Sequence, residues 1–372
     1  MTNAAAEQDI SVSRGVVPHY LRNAPPRVID WMRRNLFSSP FNGALTIVFL
    51  VMACLVLPPL FRWAVTHATI SGTTRAACSD DGACWTFIRV RFPHFIYGNY
   101  PSDEYWRVDG AFALVAAFCA PALRDNTRHR WLYVLLLLTV APGLAWILLS
   151  GGVFGLTYVD TSLWGGLMLD VIVSFVTVVG SLPLGILLAF GRRSQLRVIQ
   201  ILSIGYIEIW RGVPLLTVLF MSAVVMPMFL PEGISVDRLL RAMAALVLFN
   251  VAYMAEVVRG GLQGVPSSQD EAAYSLGLSW WQAQVFVVLP QALRIVVPGI
   301  INTVIDLFKD TTLITIIGLF DLLGAVEQAL KDPAWLGFAT EGYVFSAAVF
   351  FVCCFAMSLY GRSMERRLAK SD

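Results

Sequence analysis

The chain has 372 residues, 57% of them hydrophobic and only 14% charged, with a mean hydropathy of +0.68. A soluble domain carries a charged share nearer a quarter, so the composition excludes one. The net charge of +2 comes with no basic stripe interleaved with aromatics, which excludes nucleic acid as a partner.

The charges are squeezed into gaps between apolar runs. Lipid cannot satisfy stray backbone polar groups, so this arrangement points to an all-α fold, a polytopic helical membrane protein with about eight transmembrane helices and membrane lipid around them. Residues 1–40 lack the apolar region of a signal peptide and carry Arg14, Arg22, Arg27, Arg33 and Arg34. They read as a cytoplasmic, poorly ordered tail.

Apolar runs then predict spans at about 43–62, 109–123, 131–150, 165–190, 212–230, 239–256, 295–318 and 342–361. Most reach the ~20 residues that a bilayer requires. The second is short, and its flanking Trp106 and Arg124 suit an interfacially anchored, compressed span. Residues 41–160 thus hold three accessory spans around an outside connection, 62–108. Residues 163–361 hold a five-span core, with a polar segment at 257–294, and 362–372 form a cytoplasmic tail. With the N-terminus inside, 17 of the 27 Lys and Arg fall on inside segments and 8 on outside ones, as the positive-inside rule expects.

Six cysteines show no metal-ligand spacing, so no metal is expected. Cys54, Cys119, Cys353 and Cys354 fall in apolar runs, where Cys acts as a small hydrophobe. Cys78 and Cys84 lie close together in the outside connection, where a disulfide and two free thiols both stand as readings. His19, His67, His94 and His129 lie in loops or tails, and no Ser/His or metal-ligand set falls within a span. No catalytic residue is expected.

Glu208 and Arg211 are spaced i,i+3, followed by Gly212 and Pro214 at the start of the fifth predicted span. That pattern reads as a boundary ion pair beside a hinge, with direct substrate contact as the other reading. Asp170 stands alone inside the fourth span, lining a path or touching an interface. Glu256 and Arg259 fall at a span end and read as structural.

The 257–294 segment carries two small helices. Ser268 precedes Glu271 by three residues and Ser279 precedes Gln282 by three, so both starts fit the capping-box pattern. Gly277 sits between them, where a helix end wants a residue tolerant of positive φ. Pro290 is expected to close the second helix. A cap-flanked hairpin with Trp280 and Trp281, presented to water, reads as a docking surface.

Asp306, Lys309, Asp310 and Thr311 lie half-way or more along the seventh span. A charge near the bilayer centre costs at least ~2.5–3.5 kcal/mol, so such residues face a cavity or one another. Asp306 and Lys309, at i,i+3, satisfy mutual neutralisation. A polar gate or substrate contact is the functional reading, since the cluster supplies both a cation and an anion. Asp310-Thr311-Thr312 also marks a local helix break.

The spacing Glu271-Ala272-Ala273, Gly277, Leu289-Pro290 resembles the EAA loop of ABC-importer permeases, with Val287 where that pattern usually has Ile. Ile207–Leu216 and Phe308–Leu323 are similar to blocks of polar-amino-acid importers, and the resemblance covers about 163–361. The N-terminal part is similar to the extended, M-type permease subunits of general L-amino-acid systems. The resemblance implies a permease that moves amino acids across a bacterial inner membrane. It also implies a cytoplasmic ABC ATPase docked on the loop, a second permease and a periplasmic binding protein. The chain has no phosphate cradle of the G-x-x-x-x-G-K-[ST] kind, so it binds no cofactor, and ATP and Mg are used by the partner ATPase. The alternative is a self-sufficient secondary transporter that relays ions through Asp306, Lys309 and Asp310.

Overall fold

A computed structural model of the chain describes residues 28–124, 127 and 129–368. Arg14, Arg22 and Arg27 of the predicted tail lie outside the described residues. Two compact units divide at Ala68/Thr69.

In the first unit, α1 (Val28–Asn35) makes the end of the predicted tail helical. Ser39 then caps α2 (Pro40–Phe61), accepting from the Asn42 amide at 3.1 Å. Helical geometry continues to Thr66, so this span runs 27 residues.

The second unit contains α3 (Trp85–Tyr97), α4 (Tyr105–Leu123), α5 (Arg130–Ser150), α6 (Gly166–Arg192), α7 (Arg197–Gly212), α8 (Leu215–Phe220) and α9 (Arg238–Gly264). They are followed by α10 (Ser267–Ser275), α11 (Trp280–Gln282), α12 (Leu289–Asp310), α13 (Leu322–Leu330) and α14 (Ala339–Leu368). The chain is all-α. Among the described residues six helices are long and apolar enough to cross a membrane, or seven if a bent pair is one span. The difference from eight lies at 109–123: it is helical, as α4, but falls outside that set, with Arg107 and Asp109 in its opening turns.

The bent pair is α7 and the segment Leu215–Phe229, which meet at 99°. Pro214 forces the break. It pushes Val213 to extended geometry (φ −101°, ψ 134°) and stands at the N-cap of α8. Further on, a π-turn at Met221–Val225 frees backbone carbonyls, and the Arg241 guanidinium takes two of them, Ser222 O at 3.3 Å and Ala223 O at 2.8 Å.

The core is built on the crossing of α6 and α9. Along α6, Leu169, Val173, Thr177, Ser181, Gly185 and Ala189 recur every fourth residue and are all buried. The small residues of that stripe let the two helices approach closely. A Cβ at Gly185 would stand 2.7 Å from Met254 Cβ, so this close approach requires glycine. α12 then packs on α9, and α14 on α12.

Within the second unit, the 69–108 part of the predicted connection does not stand apart from the core. Phe87, Ile88 and Phe95 of α3 are buried with Leu322, Ala325, Val326 and Ala329 of α13 and with Trp335. The Cys84 amide donates to Glu341 at 3.2 Å, and Arg91 pairs with Asp332. The predicted C-terminal tail is also not separate, since 362–368 continue α14 and 369–372 lie outside the described residues.

Candidate functional site

α10 ends in the two hydrogen bonds of a Schellman motif: Leu278 N–H donates to Ala273 O at 3.2 Å and Gly277 N–H to Tyr274 O at 2.9 Å. Gly277 has φ +79°, with open space where a Cβ would point. The demand for glycine there is conformational, not steric. The second start is capped as its spacing predicts, the Ser279 amide donating to Gln282 Oε1 at 2.9 Å.

Two expectations fail. Ser268 does not cap: Pro266 holds the N-cap and α10 already begins at Ser267, which leaves Ser268 inside the first turn. Glu271 is exposed. Nor does Pro290 close a helix. Residues 280–317 run continuously, with a π-turn at Ala283–Val288 before Pro290, in the first turn of α12. The wider turn absorbs the missing amide and the bulk of the ring, which would otherwise break the helix. Leu289 is half-buried, part of the same seam as Val288 and Ala292.

Ala272 and Ala273 differ in exposure, Ala272 being exposed and Ala273 buried at 2%. The hairpin is fastened by residues that the motif did not flag. Gln284, 3% exposed, donates to Asp270 at 2.6 Å, and Gln291 donates to Gln269 at 3.3 Å. Trp280 turns inward against Phe190, with ring centroids 6.3 Å apart. Tyr274, Leu276, Trp281 and Phe286 remain exposed, Leu276 at 83%. The result is a braced hairpin with an apolar outer face.

The charged block of α12 divides. Lys309 Nζ lies 2.8 Å from Asp306, and both are exposed. Asp310 is half-buried. Thr311 is fully buried and belongs elsewhere: its hydroxyl donates to Asp170 Oδ1 at 2.5 Å, while Asp170 Oδ2 accepts from the Leu322 amide at 3.0 Å. The helix tightens to a 3₁₀ segment at Thr311–Ile317, the break expected there. Asp170, equivocal in the sequence, thus ties α6 to the end of α12 and the start of α13. Asp321, at the N-cap of α13, accepts from Gly324 N at 2.9 Å and from the Thr315 hydroxyl. Its sequence signal was an Asp just ahead of an apolar helical run.

Glu208 and Arg211 do not pair with each other. Arg192 reaches Glu208 at 3.4 Å and Glu256 at 3.3 Å, and Arg211 approaches Glu256 at 4.0 Å. Glu256 also accepts from Arg259 at 3.0 Å. The less exposed carboxylate on α9 draws the three guanidinium groups, and Arg211 lies over the Tyr253 ring at 5.9 Å. Gly212 and Pro214 stand at the 99° bend. Cys78 and Cys84 are joined as a disulfide.

Residues 181–370 match the binding-protein-dependent transport system inner membrane component family. The chain belongs to that family. It is 50% identical over 341 residues to the inner membrane amino-acid ABC transporter permease protein YhdY of Escherichia coli, covering 92% of this chain and 93% of the relative. It is 36% identical to the glutamate/glutamine/aspartate/asparagine transport system permease protein BztC of Rhodobacter capsulatus, covering 92% and 94%. The probable glutamine ABC transporter permease protein GlnP of Bacillus subtilis is 31% identical, over 55% of this chain and 93% of its own length. As an inner membrane component of such a system, the chain is a multi-pass permease, and the secondary-transporter alternative falls away.

Proposed function

We propose that this chain is the permease subunit of an importer for polar amino acids, worked by a separate ATPase seated on the 267–290 hairpin. The observation that carries the coupling assignment is the braced hairpin whose outer face leaves Tyr274, Leu276, Trp281 and Phe286 uncovered. Large apolar side chains on a rigid support are the usual core of a docking site. Glu271 and Ala272 lie on the exposed side, Ala273 packs the helix to the core, and Gly277 with the Leu289-Pro290 step sets the hairpin's shape. The ATPase hydrolyses ATP with Mg as its cofactor, and neither is assigned a site on this chain.

Residues 163–361 act as the transport core and 41–160 as an accessory region, a division supported by the family match, which begins only at residue 181. Both termini and the hairpin are cytoplasmic. A second, related permease covers the face that bears Asp306 and Lys309. Exposed charges in a span are costly against lipid, and a shared polar path removes that cost. Asp310 lies beside that path, and a periplasmic binding protein delivers the amino acid to it. Thr311 supports the path from behind, through Asp170.

Co-purification in mild detergent tests the assembly. An ATPase and a second permease should travel with this chain, and an Ala272→Cys variant should cross-link to the ATPase. A chain that drives uptake alone from an ion gradient would overturn the reading.

A further inference from the structure

A cleft of about 470 Å³ lies between α4, α5 and α6. Its lining descends α4 from Ala111 to Cys119, crosses α5 at Pro142, Ala145 and Trp146, and follows α6 from Leu167 to Val176. No lining side chain carries a hydroxyl, an amide or a charge. A water there would lack the two to four polar partners that hold one in place.

The three helices are not free to close on this space, because they are pinned at one end. The Tyr100 hydroxyl donates to Leu149 O at 2.8 Å, and Arg107 donates to Thr157 O at 2.7 Å. Val108, Leu149, Trp164 and Met168 are buried around those bonds. Beyond them α5 touches α6 only sparsely, although it packs closely on α4. Both α5 and α6 are long and apolar enough to span a membrane, so the cleft lies at the depth of hydrocarbon.

We propose that this cleft seats one acyl chain of a membrane phospholipid, with its phosphate at the Arg124 end of α4. The volume holds roughly fifteen methylene-sized groups at about 30 Å³ each, the share of one water in the liquid, which is the length of an ordinary tail. Arg124 is exposed just past the end of α4, about 7.5 Å along the helix axis beyond Cys119. Arg130 opens α5 on the same connection. Guanidinium and phosphate are matched in charge and in hydrogen-bond geometry. The tail fills the gap between the accessory hairpin and α6 with material that deforms as α6 moves.

The test uses the full chain in vesicles containing a phosphatidylglycerol whose acyl chain bears a photoreactive diazirine. After illumination, label should concentrate on 111–119, 142–149 and 167–176, above that on the exposed Phe351 and Val352 of α14. Filling the cleft with Ala116→Phe and Ala145→Phe should remove most of that excess while the α14 label stays. Label spread evenly over the helices, or an excess that survives the filled cleft, would overturn the site. Arg124→Gln leaves the cleft untouched and serves if the filled variant does not fold. It should lower the excess severalfold, and an unchanged excess would overturn the placement of the phosphate.

Discussion

Asp170 and Leu322 are 152 residues apart, yet the Asp170 carboxylate accepts the Leu322 amide at 3.0 Å, at the first turn of α13. The same carboxylate takes the Thr311 hydroxyl at 2.5 Å. One buried side chain on α6 thus caps a helix that it does not belong to and fixes the end of α12. Removing it leaves a buried donor unpaired, at a cost of about 1–3 kcal/mol. Asp170→Ala and Thr311→Val should each lower the unfolding midpoint. Combined, they should show a coupling energy of roughly 0.5–3 kcal/mol, as groups in direct contact do. Additive effects in that cycle would refute the link.

At Gly277 the argument is conformational. Its φ of +79° and the open space around it mean that a side chain has room but the wrong backbone. A β-branched residue disfavours this geometry strongly, while Asn tolerates it. Gly277→Val should therefore reduce ATP-driven uptake in proteoliposomes, and Gly277→Asn should retain most of it. Glu271→Lys, on the exposed face, should lose coupling without loss of insertion. Equal uptake by the Val and Asn variants would show that the left-handed turn is dispensable.

How much of this was legible follows the range of each interaction. Gly277 and the Ser279–Gln282 cap depend on neighbours three or four residues away, so spacing revealed both. Pro290 misled because a local rule counts the lost amide but not the π-turn that absorbs it. Glu208 and Arg211 misled because a helix face was visible while its better partner, Glu256 on α9, was not. The burial of α3 against α13 was hidden for the same reason, since an apolar helical segment does not name its partner. Asp170 was visible as an anomaly, but its role required knowing where residues 311 and 322 come to rest.

Lys309 offers a separate test of the translocation face. Its ammonium neutralises Asp306 at 2.8 Å within a span. Lys309→Ala leaves that carboxylate alone, where an unpaired charge costs at least ~2.5–3.5 kcal/mol at mid-membrane, so uptake should fall sharply. The double variant Asp306→Ala/Lys309→Ala removes the penalty as well as the pair. A structural pair predicts recovered uptake. A path residue predicts uptake still lost or altered in substrate range, which is the outcome expected in a flux assay across several amino acids.

His94 makes the end of the molecule that carries α3 sensitive to acid. Burial holds its imidazole below the ordinary value of 6.5, and the nearby Arg91 charge acts in the same direction. Hydrogen bonds to the Gly98 and Ala325 backbones oppose this only in part. The folded protein therefore resists a proton that the unfolded chain accepts. The unfolded state binds more protons as pH falls through about 6.5, so stability is fully present above that value and declines below it, down to the depressed folded value. His94→Gln removes the titrating group and should flatten this dependence. Thermal unfolding of both proteins at pH 7.5 and pH 5.5 decides the matter (roughly one unit to either side of the ordinary His value): the wild type should lose more on acidification than the variant, and equal losses would rule His94 out as the source.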